Sequence, residues 1–390
     1  MIEHWKPYKL RQVCRLINGR AYSKPELLVQ GAYPVLRVGN FFTNDHWYYS
    51  DLELDPDKYC DDGDLLYAWS ASFGPRIWTG GKVIFHYHIW KVEPDDALID
   101  KKFLYWWFLW DADRIKLDLG AGTTMTHVSK GSMDGRDLLL PPLADQRRIA
   151  AILDEAFEGI ATAKDNAEKN LQNARALFDS HLHDVFGEYC HDWPNTRLGE
   201  ICERVSVGHV GPTSQFYCDE KVGIPFLRSQ NVRRGRLDWD GIRFVTKTFH
   251  EKLRKSQLRA GDLLFVRVGA NRGDCCIVPK GISETNCANI VFARGVRGNA
   301  TFIARYCDSS QGRKQLLGMT TGSAQGVINT SSVAELLIPL PPETEQAEVV
   351  GSLNALQAHT ESLSRHFEKK LKSLDSLKKS FLHQAFTGKL

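Results

Sequence analysis

The sequence predicts an α+β protein with an internal pseudo-two-fold repeat. It comprises two mixed α/β globular regions and two long helices that pair as an antiparallel coiled coil. Two observations lead to this prediction. The segment LPPLADQ at residues 140–146 returns as LPPETEQ at residues 340–346, 200 positions later. Each copy opens a run of about forty residues with helical spacing of apolar side chains, and a helix of that length usually needs a partner.

The repeat also closes in register. Five positions near the end of the first run recur 200 residues later: Leu177, Ser180, Leu182, His183 and Phe186 return as Leu377, Ser380, Leu382, His383 and Phe386. The proline pair before each run ends the preceding segment in extended geometry, and an acidic residue then falls in the first helical turn, where the helix dipole favours it. We therefore predict four segments, at 1–139, 140–190, 191–339 and 340–390.

The first globular region contains short apolar runs bounded by turn residues, which predict strands, and one longer run that predicts a helix. The predicted strands cover 33–38, 64–69 and 82–88, the predicted helix covers 103–117, and a loop of small residues follows at 120–124.

The second globular region repeats the first loosely. PVLRVGN at 34–40 is matched by PFLRSQN at 225–231, and GDLLY at 63–67 is matched by GDLLF at 261–265. Between these anchors the two copies differ almost completely. Because loops held by a scaffold usually carry function, we interpret the two regions as one scaffold that presents two different surfaces.

Each long helix has its own apolar pattern. The first helix, predicted over 145–187, has a continuous stripe at Ile149, Ile152, Ala156, Ile160, Ala163, Ala167, Leu171, Ala174, Phe178, Leu182 and Val185. The second, predicted over 345–386, has a heptad seam at Leu353, Leu356, Thr360, Leu363, Phe367, Lys370, Leu374, Leu377 and Phe381. Mutual pairing would cover both apolar faces.

Composition limits the class of protein. The chain has 390 residues, 43% hydrophobic content and a net charge of only +3, so it is typical of a globular protein of two or three domains without a basic tail. The nine cysteines lack the regular spacing of a disulfide framework, and the sequence has no signal-peptide pattern. Both observations predict that the protein acts in a reducing cytoplasm. The longest apolar stretch, residues 103–110, is too short to span a membrane.

No catalytic motif is present. Asp95, Asp100 and Lys102 have a nuclease-like composition, but their short spacing is more typical of a solvated turn. The His-x-His pairs at 86–88 and 181–183 lack further metal ligands, and GKL at the C-terminus lacks a phosphate-binding loop. We predict no catalytic residue, no metal site and no cofactor held by this chain.

Polar loops follow equivalent strands in both regions. Arg and Asn are the side chains that hydrogen bond guanine and adenine edges with two contacts, so these loops are candidate DNA-binding elements, although ordinary turn chemistry explains many single residues. The candidate DNA-binding residues are Arg37, Asn40, Ser70, Ser72, Arg76, Thr123, Thr124, Arg228, Asn231, Arg267, Asn271, Arg272, Ser323 and Gln325.

Taken together, the twin segments at 140–146 and 340–346, the repeated GDLL motif and the Gly-Thr or Gly-Ser loops before each proline pair resemble the specificity subunit of a type I restriction-modification system. The resemblance covers essentially the whole chain. It implies two target-recognition domains, at 1–139 and 191–339, that each bind one half of a bipartite double-stranded DNA sequence. It also implies two conserved helical spacers, at 140–190 and 340–390.

The same resemblance implies the partners. Two methyltransferase subunits would carry S-adenosylmethionine, and restriction/translocase subunits would use ATP and Mg²⁺, with no membrane involved. The candidate docking residues are those shared by the twin segments: Pro141, Pro142, Gln146, Pro341, Pro342 and Gln346. Two alternatives stay open, a stand-alone DNA-modifying enzyme and a coiled-coil scaffold that binds only proteins. Methylation by the chain alone would favour the first, and failure of the assembled complex to bind any duplex would favour the second.

Overall fold

The computed structural model describes residues 4–42, 45–70, 74–118, 128–187, 192–318 and 326–390. The chain divides into two compact units. Unit 1 comprises Met1–Glu168 with Lys369–Leu390, and unit 2 comprises Lys169–Glu368. Each unit therefore contains one globular region, the first half of the long helix that follows it, and the last half of the other long helix.

Unit 1 is a mixed α/β structure. Its strands are β1 (Lys6–Lys9), β2 (Cys14–Asn18), β3 (Tyr33–Leu36), β4 (Tyr48–Ser50), β5 (Tyr59–Cys60), β6 (Leu65–Ala68), β7 (Gly74–Ile77), β8 (Val83–Phe85), β9 (Ile89–Pro94) and β10 (Asp137–Leu140). Its helices are α1 (Val38–Phe42), α2 (Lys101–Asp118), α3 (Lys130–Asp134) and the start of the long helix α4 (Leu143–Gly187).

Unit 2 repeats this order. Its strands are β11 (Asn195–Arg197), β12 (Arg204–Val207), β13 (Tyr217–Cys218), β14 (Ile224–Leu227), β15 (Val232–Arg233), β16 (Arg236–Leu237), β17 (Arg243–Val245), β18 (Leu263–Val266), β19 (Cys275–Ile277), β20 (Asn286–Cys287), β21 (Ile290–Arg294) and β22 (Leu337–Pro339). Its helices are α5 (Lys247–Lys252), α6 (Ala300–Asp308), α7 (Ser310–Gly318), α8 (Thr330–Ala334) and the start of the long helix α9 (Glu343–Phe386).

The sheets repeat as well. In unit 1, one four-stranded sheet has the order β2-β9-β6-β7 and the other has the order β4-β3-β8-β5. In unit 2, the first sheet recurs as β12-β21-β18-β19, and the second has the order β13-β17-β14-β20. In the second sheet β17, β14 and β20 match β4, β3 and β8, whereas β13 and β5 lie at opposite edges. One parallel pair occurs at the same place in each unit, β3 with β8 and β14 with β20. A two-stranded ribbon, β1 with β10 or β11 with β22, joins the first strand of each globular region to its last.

Each unit has an aromatic core that includes the end of a long helix. In unit 1, Phe386 near the end of α9 packs against Phe103 of α2, with ring centroids 5.3 Å apart and planes at 65°. In unit 2, Phe186 near the end of α4 packs against Phe302 of α6, at 5.4 Å and 68°. These residues lie at equivalent positions of the repeat, so the predicted internal symmetry extends to side-chain packing.

The long helices α4 and α9 pair antiparallel, as predicted. In unit 1, the Lys164 Nζ atom lies 2.7 Å from Asp375 Oδ1, and Lys378 Nζ lies 5.1 Å from the Phe157 ring centroid. In unit 2, the Arg175 guanidinium lies 2.9 Å from Glu368 Oε1. Residues further along α4 thus meet earlier residues of α9, and every predicted stripe position of α4 is buried or half-buried.

The seam of α9 differs from the prediction at three of its nine positions. Leu363 and Leu377, predicted to lie in the seam, are 45% and 43% exposed. Lys370 is exposed as well, and the half-buried positions lie one residue later, at Ser364, Leu371 and Lys378. At two positions the prediction followed leucine, whereas the packed face uses a small serine and the aliphatic stem of a lysine that ends over Phe157. At the third position Leu371 packs in place of the predicted Lys370.

The predicted strands and helix of the first region are present, with one difference that matters for the site. The run predicted as one strand at 82–88 is strand β8 followed by a turn at residues 86–88, and strand β9 then begins at Ile89. The predicted small-residue loop at 120–124 lies outside the described residues.

Candidate nucleic-acid interface

Four chain segments of unit 1 converge at one edge of its sheets. The amide of Arg20 donates to Phe85 O at 3.0 Å and that of Tyr87 donates to Arg20 O at 3.0 Å. The amide of His86 donates to Leu36 O at 2.9 Å, which joins the end of β3 to the same turn. The amide of Trp69, after β6, donates to His88 O at 3.0 Å. We call this group of strand ends the loop edge of unit 1.

Unit 2 builds the same frame from different residues. The amide of His209 donates to Cys287 O at 2.8 Å, that of Asn289 donates to His209 O at 3.1 Å, and that of Ala288 donates to Leu227 O at 2.9 Å. These bonds correspond one by one to those of Arg20, Tyr87 and His86. We call this group the loop edge of unit 2.

A glycine permits the close crossing in each loop edge. A Cβ atom on Gly19 would lie 2.2 Å from Phe85 O, and one on Gly208 would lie 2.7 Å from Cys287 O. Both distances are too short for any side chain, so the backbone frame requires glycine at these two positions.

Aromatic and histidine rings dominate the loop edge of unit 1. Trp69 donates from Nε1 to Tyr87 O at 2.8 Å and stacks on Trp90, with ring centroids 5.7 Å apart. The His86 ring stacks on Tyr22, over which the Arg20 guanidinium lies at 5.4 Å. Burial, together with His88 and Arg37, lowers the pKa of His86 to about 4. The imidazole is therefore neutral near pH 7 and acts as a hydrogen-bonding group rather than a cation.

Four of the predicted DNA-binding residues of unit 1 lie within the described residues. Arg37 is exposed at the end of β3, with its guanidinium 5.2 Å from the Tyr48 ring centroid. Asn40 donates to His46 O at 2.7 Å. Arg76 is an exposed residue of β7 that hydrogen bonds Phe41 O, and Ser70 is buried. Ser72, Thr123 and Thr124 lie outside the described residues.

The loop edge of unit 2 contains a cleft of about 360 Å³. Asn289, in the turn between β20 and β21, has a φ of 53°, a left-handed conformation that Asn tolerates better than most residues. The cleft is lined by Gly211, Thr213, Arg228, Ser229, Gln230, Val266, Val268, Gly269, Ala270, Asn271, Ala288 and Asn289. It therefore brings the predicted loop after β18 together with the predicted loop after β14.

Three arginines of unit 2 lie at or beside this cleft. Arg228 lines the cleft and donates from Nη2 to Gly241 O at 2.9 Å, and Arg272 donates from Nη1 to Gly326 O at 2.8 Å. The Nε atoms of Arg228 and Arg267 are buried without a hydrogen-bond partner among the described residues. Asn271 also lines the cleft, whereas Ser323 and Gln325 lie outside the described residues.

Asn231 was predicted to contact DNA, and the structure gives it a different role. It is fully buried, accepts from the Arg228 amide at 3.1 Å and donates to Asp238 O at 2.9 Å. No surface of Asn231 is left for a nucleic acid. It holds the turn that follows β14, and buried Ser70 is likewise a supporting residue.

Sequence analysis missed several residues of the two loop edges. Arg20 and the turn at residues 86–88 in unit 1, and Gln230 and Asn289 in unit 2, were not among the candidates. They reach the edge through the parallel pairs β3–β8 and β14–β20, which join segments about fifty to sixty residues apart. The sequence did contain one signal, the pair of histidines at 86–88, which we had weighed only as metal ligands.

Gln146 and Gln346 were predicted to dock a partner, and the structure corrects this. They are 1% and 2% exposed. Gln146 accepts from the Asp100 amide at 2.9 Å and donates to Pro141 O at 2.9 Å, and Gln346 accepts from the Asn299 amide at 2.9 Å and donates to Pro341 O at 2.7 Å. The two amides fasten the start of each long helix to its own globular region, so neither can contact a partner.

The proline pairs divide into one buried and one exposed member. Pro141 and Pro341 are buried, whereas Pro142 and Pro342 are exposed at the starts of α4 and α9. Only the second proline of each pair is therefore available to a partner.

The acidic residues with nuclease-like composition have structural partners. Asp100 Oδ1 accepts from the amides of Lys102 and Phe103 at 3.0 and 3.1 Å, which caps the start of α2. Asp95 Oδ1 accepts from the Ala97 amide at 3.1 Å. Within the described residues, no three His, Cys, Asp or Glu side chains are grouped so as to hold a metal ion.

Two copies of one backbone frame, with different side chains at its loop edges and a pair of antiparallel helices, define a recognition protein with two distinct binding faces. The family model for the type I restriction modification DNA specificity domain matches residues 2–172 and 191–373. The chain therefore belongs to this family of specificity subunits of type I restriction-modification systems.

Individual proteins agree over the full chain. The chain is 23% identical to the type I restriction enzyme EcoBI specificity subunit of Escherichia coli, over 100% of this chain and 86% of that protein. It is 22% identical to the MjaVIII specificity subunit of Methanocaldococcus jannaschii, over 100% of this chain and 93% of that protein. No helix among the described residues combines the length and hydropathy needed to cross a bilayer.

Solved structures share the fold. A chain from a structure of the type I R-M system superposes with a TM-score of 0.79 at 19% identity, covering 100% of this chain and 99% of that one. The HsdS subunit from Thermoanaerobacter tengcongensis superposes with a TM-score of 0.59 at 18% identity, covering 100% of this chain and 98% of that one.

Proposed function

We propose that this chain is the DNA-recognition subunit of a type I restriction-modification complex, in which each loop edge binds one half of a bipartite double-stranded target. The observation that carries the proposal is the pair of loop edges. The same backbone hydrogen bonds recur in both units, whereas the side chains they support differ. A conserved frame with different side chains suits the recognition of two different half-sites.

Seven of the predicted residues are carried forward as DNA contacts. They are the described candidates other than the two buried ones: Arg37, Asn40, Arg76, Arg228, Arg267, Asn271 and Arg272. Arginine and asparagine can bind base edges with two hydrogen bonds, and arginine also binds phosphates, so the set can supply both specificity and affinity. Ser72, Thr123, Thr124, Ser323 and Gln325 stay predictions.

The paired helices would set the distance between half-sites and dock two methyltransferase subunits. Exposed apolar residues of the long helices occur as an equivalent pair, Leu177 and Leu377. Together with Pro142 and Pro342, they give each unit the same set of exposed apolar residues. A set that occurs twice suits two copies of one partner.

In this proposal the chain performs no catalysis itself and acts in the cytoplasm. S-adenosylmethionine belongs to the methyltransferase subunits, and ATP with Mg²⁺ belongs to the restriction/translocase subunits.

The test is selection of bound duplexes from a random library by the chain co-expressed with its methyltransferase partner. We expect a bipartite consensus with a fixed gap. Replacing residues 191–339 with the equivalent region of another family member should change one half of the consensus and leave the other unchanged. A consensus that changes in both halves would contradict separate recognition, and methylation by the purified chain alone would favour a stand-alone enzyme.

A further inference from the structure

The cleft in the loop edge of unit 2 combines an apolar surface with three side-chain amides, those of Gln230, Asn271 and Asn289. Val266 and Ala288 are buried in its floor, and Val268 and Ala270 are exposed in the loop above them. Val268 is 41% exposed, although it lies in a polar, arginine-containing loop. An exposed valine beside the cleft can gain burial against an apolar group of a bound ligand.

Asn271 is the amide closest to this valine along the chain, three residues after Val268 in the same loop. It lines the same cleft, and among the described residues its side chain makes no hydrogen bond. Of the three neighbouring arginines, only Arg228 lines the cleft. Arg228 is held by Gly241 O and Arg272 by Gly326 O, so both guanidinium groups are partly committed to backbone carbonyls.

In the major groove, one base pair matches this combination. An A·T pair presents the N7 acceptor and N6 donor of adenine, which an asparagine amide complements, and next to them the C5-methyl group of thymine, which apolar side chains contact. A cytosine would place its N4 donor against the valine, where it would lose its hydrogen bond to water.

We propose that the cleft of unit 2 recognises an A·T base pair, with Asn271 binding the adenine edge and Val268 contacting the thymine C5-methyl group. This inference rests on the proposed function and adds the base class that unit 2 selects. The loop edge of unit 1 presents Trp69, Tyr87 and two histidines instead. The preference should therefore belong to one half-site only.

The first test removes the methyl group from DNA. The probe is a duplex carrying the selected bipartite target, in which each thymine of the unit 2 half-site is replaced in turn by uracil. The chimera exchanging residues 191–339 identifies that half-site. One replacement should weaken binding by the assembled complex about fourfold, the effect expected for one buried methyl group. Val268→Ser should abolish the difference between thymine and uracil, because it removes both methyl groups of the valine and leaves a hydroxyl group in their place.

Val222→Ser is the matched control, since Val222 is an exposed valine of unit 2 that does not line the cleft. This variant should keep the full discrimination between thymine and uracil. Equal binding of uracil at every position would overturn the methyl contact, as would equal loss of discrimination in the control.

The second test removes an acceptor from adenine. Replacing the paired adenine with 7-deazaadenine should weaken binding by the wild-type complex about tenfold. The complex with Asn271→Ala should bind both duplexes equally, which a merely structural role for Asn271 would not produce. A further loss with 7-deazaadenine in the Asn271→Ala complex would overturn the assignment.

The outcomes separate this inference from the proposed function. A complex that selects no bipartite duplex would contradict the proposed function. A complex that selects its target but responds to neither base analogue would contradict only the A·T assignment.

Discussion

Gln146 and Gln346 each satisfy backbone groups that no helix or sheet satisfies. Each glutamine accepts a hydrogen bond from the backbone amide of a helix-capping residue in its own globular region. These capping residues are Asp100 for α2 and Asn299 for α6. Each glutamine also donates to the first proline of its pair. Because the same bonds hold the start of α4 and of α9, this glutamine fixes how each long helix leaves its globular region.

We expect Gln146→Ala to destabilise unit 1 by about 1–3 kcal/mol, because the Asp100 amide and the Leu98 and Pro141 carbonyls would lose buried partners. Gln346→Ala should have a similar effect on unit 2. The measurement is urea unfolding followed by circular dichroism. Gln384→Ala is the control, since Gln384 is exposed and, among the described residues, its side chain bonds only Ser380 one turn away. This substitution should change stability by less than about 0.5 kcal/mol. Equal, small effects of all three substitutions would contradict the role assigned to the buried amides.

For single residues, the sequence indicated which positions repeat but not which groups they contact. The identity of Gln146 and Gln346 marked them as important, and we assigned them to a partner because local sequence does not show burial. Asn231 was misassigned for the same reason. The amide of asparagine suits both a base edge and a tight turn, and only the fold around Asp238 decides between them.

The long helices were the most predictable elements, because their apolar periodicity extends over more than ten turns. Short strands were less predictable. The run 82–88 was merged into one strand because its alternation continues through the turn that separates β8 from β9, and that turn became visible only from the pairing of β3 with β8. Which residues of α9 pack in the seam depends on the residues of α4 that face them. The sequence of α9 alone therefore could not favour Ser364 over Leu363, or Lys378 over Leu377.

The end of each long helix should be an anchor as strong as its start. Phe386 packs against Phe103 and Trp110, and Phe186 packs against Phe302, Tyr306 and Trp193. We expect Phe386→Ala to destabilise unit 1, and Phe186→Ala to destabilise unit 2, by about 3–5 kcal/mol each, through lost burial and a residual cavity. Thermal unfolding monitored by calorimetry measures the effect.

The control for these substitutions uses the exposed leucines of the same helices. Leu377→Ala and Leu177→Ala should alter stability by less than about 0.5 kcal/mol, because 43% and 49% of these side chains are exposed. If the phenylalanine variants unfolded at the same temperature as the leucine variants, the helix ends would not be part of the two cores.

At the scale of the whole molecule, the chain is a duplication in which both long helices pass from one unit into the other. The sequence predicted the repeat and the antiparallel pairing. It did not predict that one compact unit combines Met1–Glu168 with Lys369–Leu390 and that the other is Lys169–Glu368. The first combination depends on packing between segments about 200 residues apart in the chain. The loop edges differ in side chains because the frame beneath them rests on backbone hydrogen bonds and glycines, which leave side chains free to vary.

The central claim is that two units bind two half-sites at a distance fixed by the helix pair. Four helix-forming residues inserted after Glu168 and four after Glu368 lengthen both helices where they pass between the units. Each insertion adds about 6 Å and about 40° beyond a full turn. One further base pair adds about 3.4 Å and about 35° in the same right-handed sense. The added length and the added rotation of the helices therefore both correspond to a gap between half-sites that is one or two base pairs wider.

The decisive measurement is methylation of a duplex library in which only the gap between the two half-sites varies, by wild-type and lengthened complexes that are equally helical by circular dichroism. We predict that the optimal gap of the lengthened complex is one or two base pairs wider and that the bases of both half-sites are unchanged. An optimal gap identical to that of the wild type, in a folded and active complex, would contradict the claim that the paired helices set the spacing.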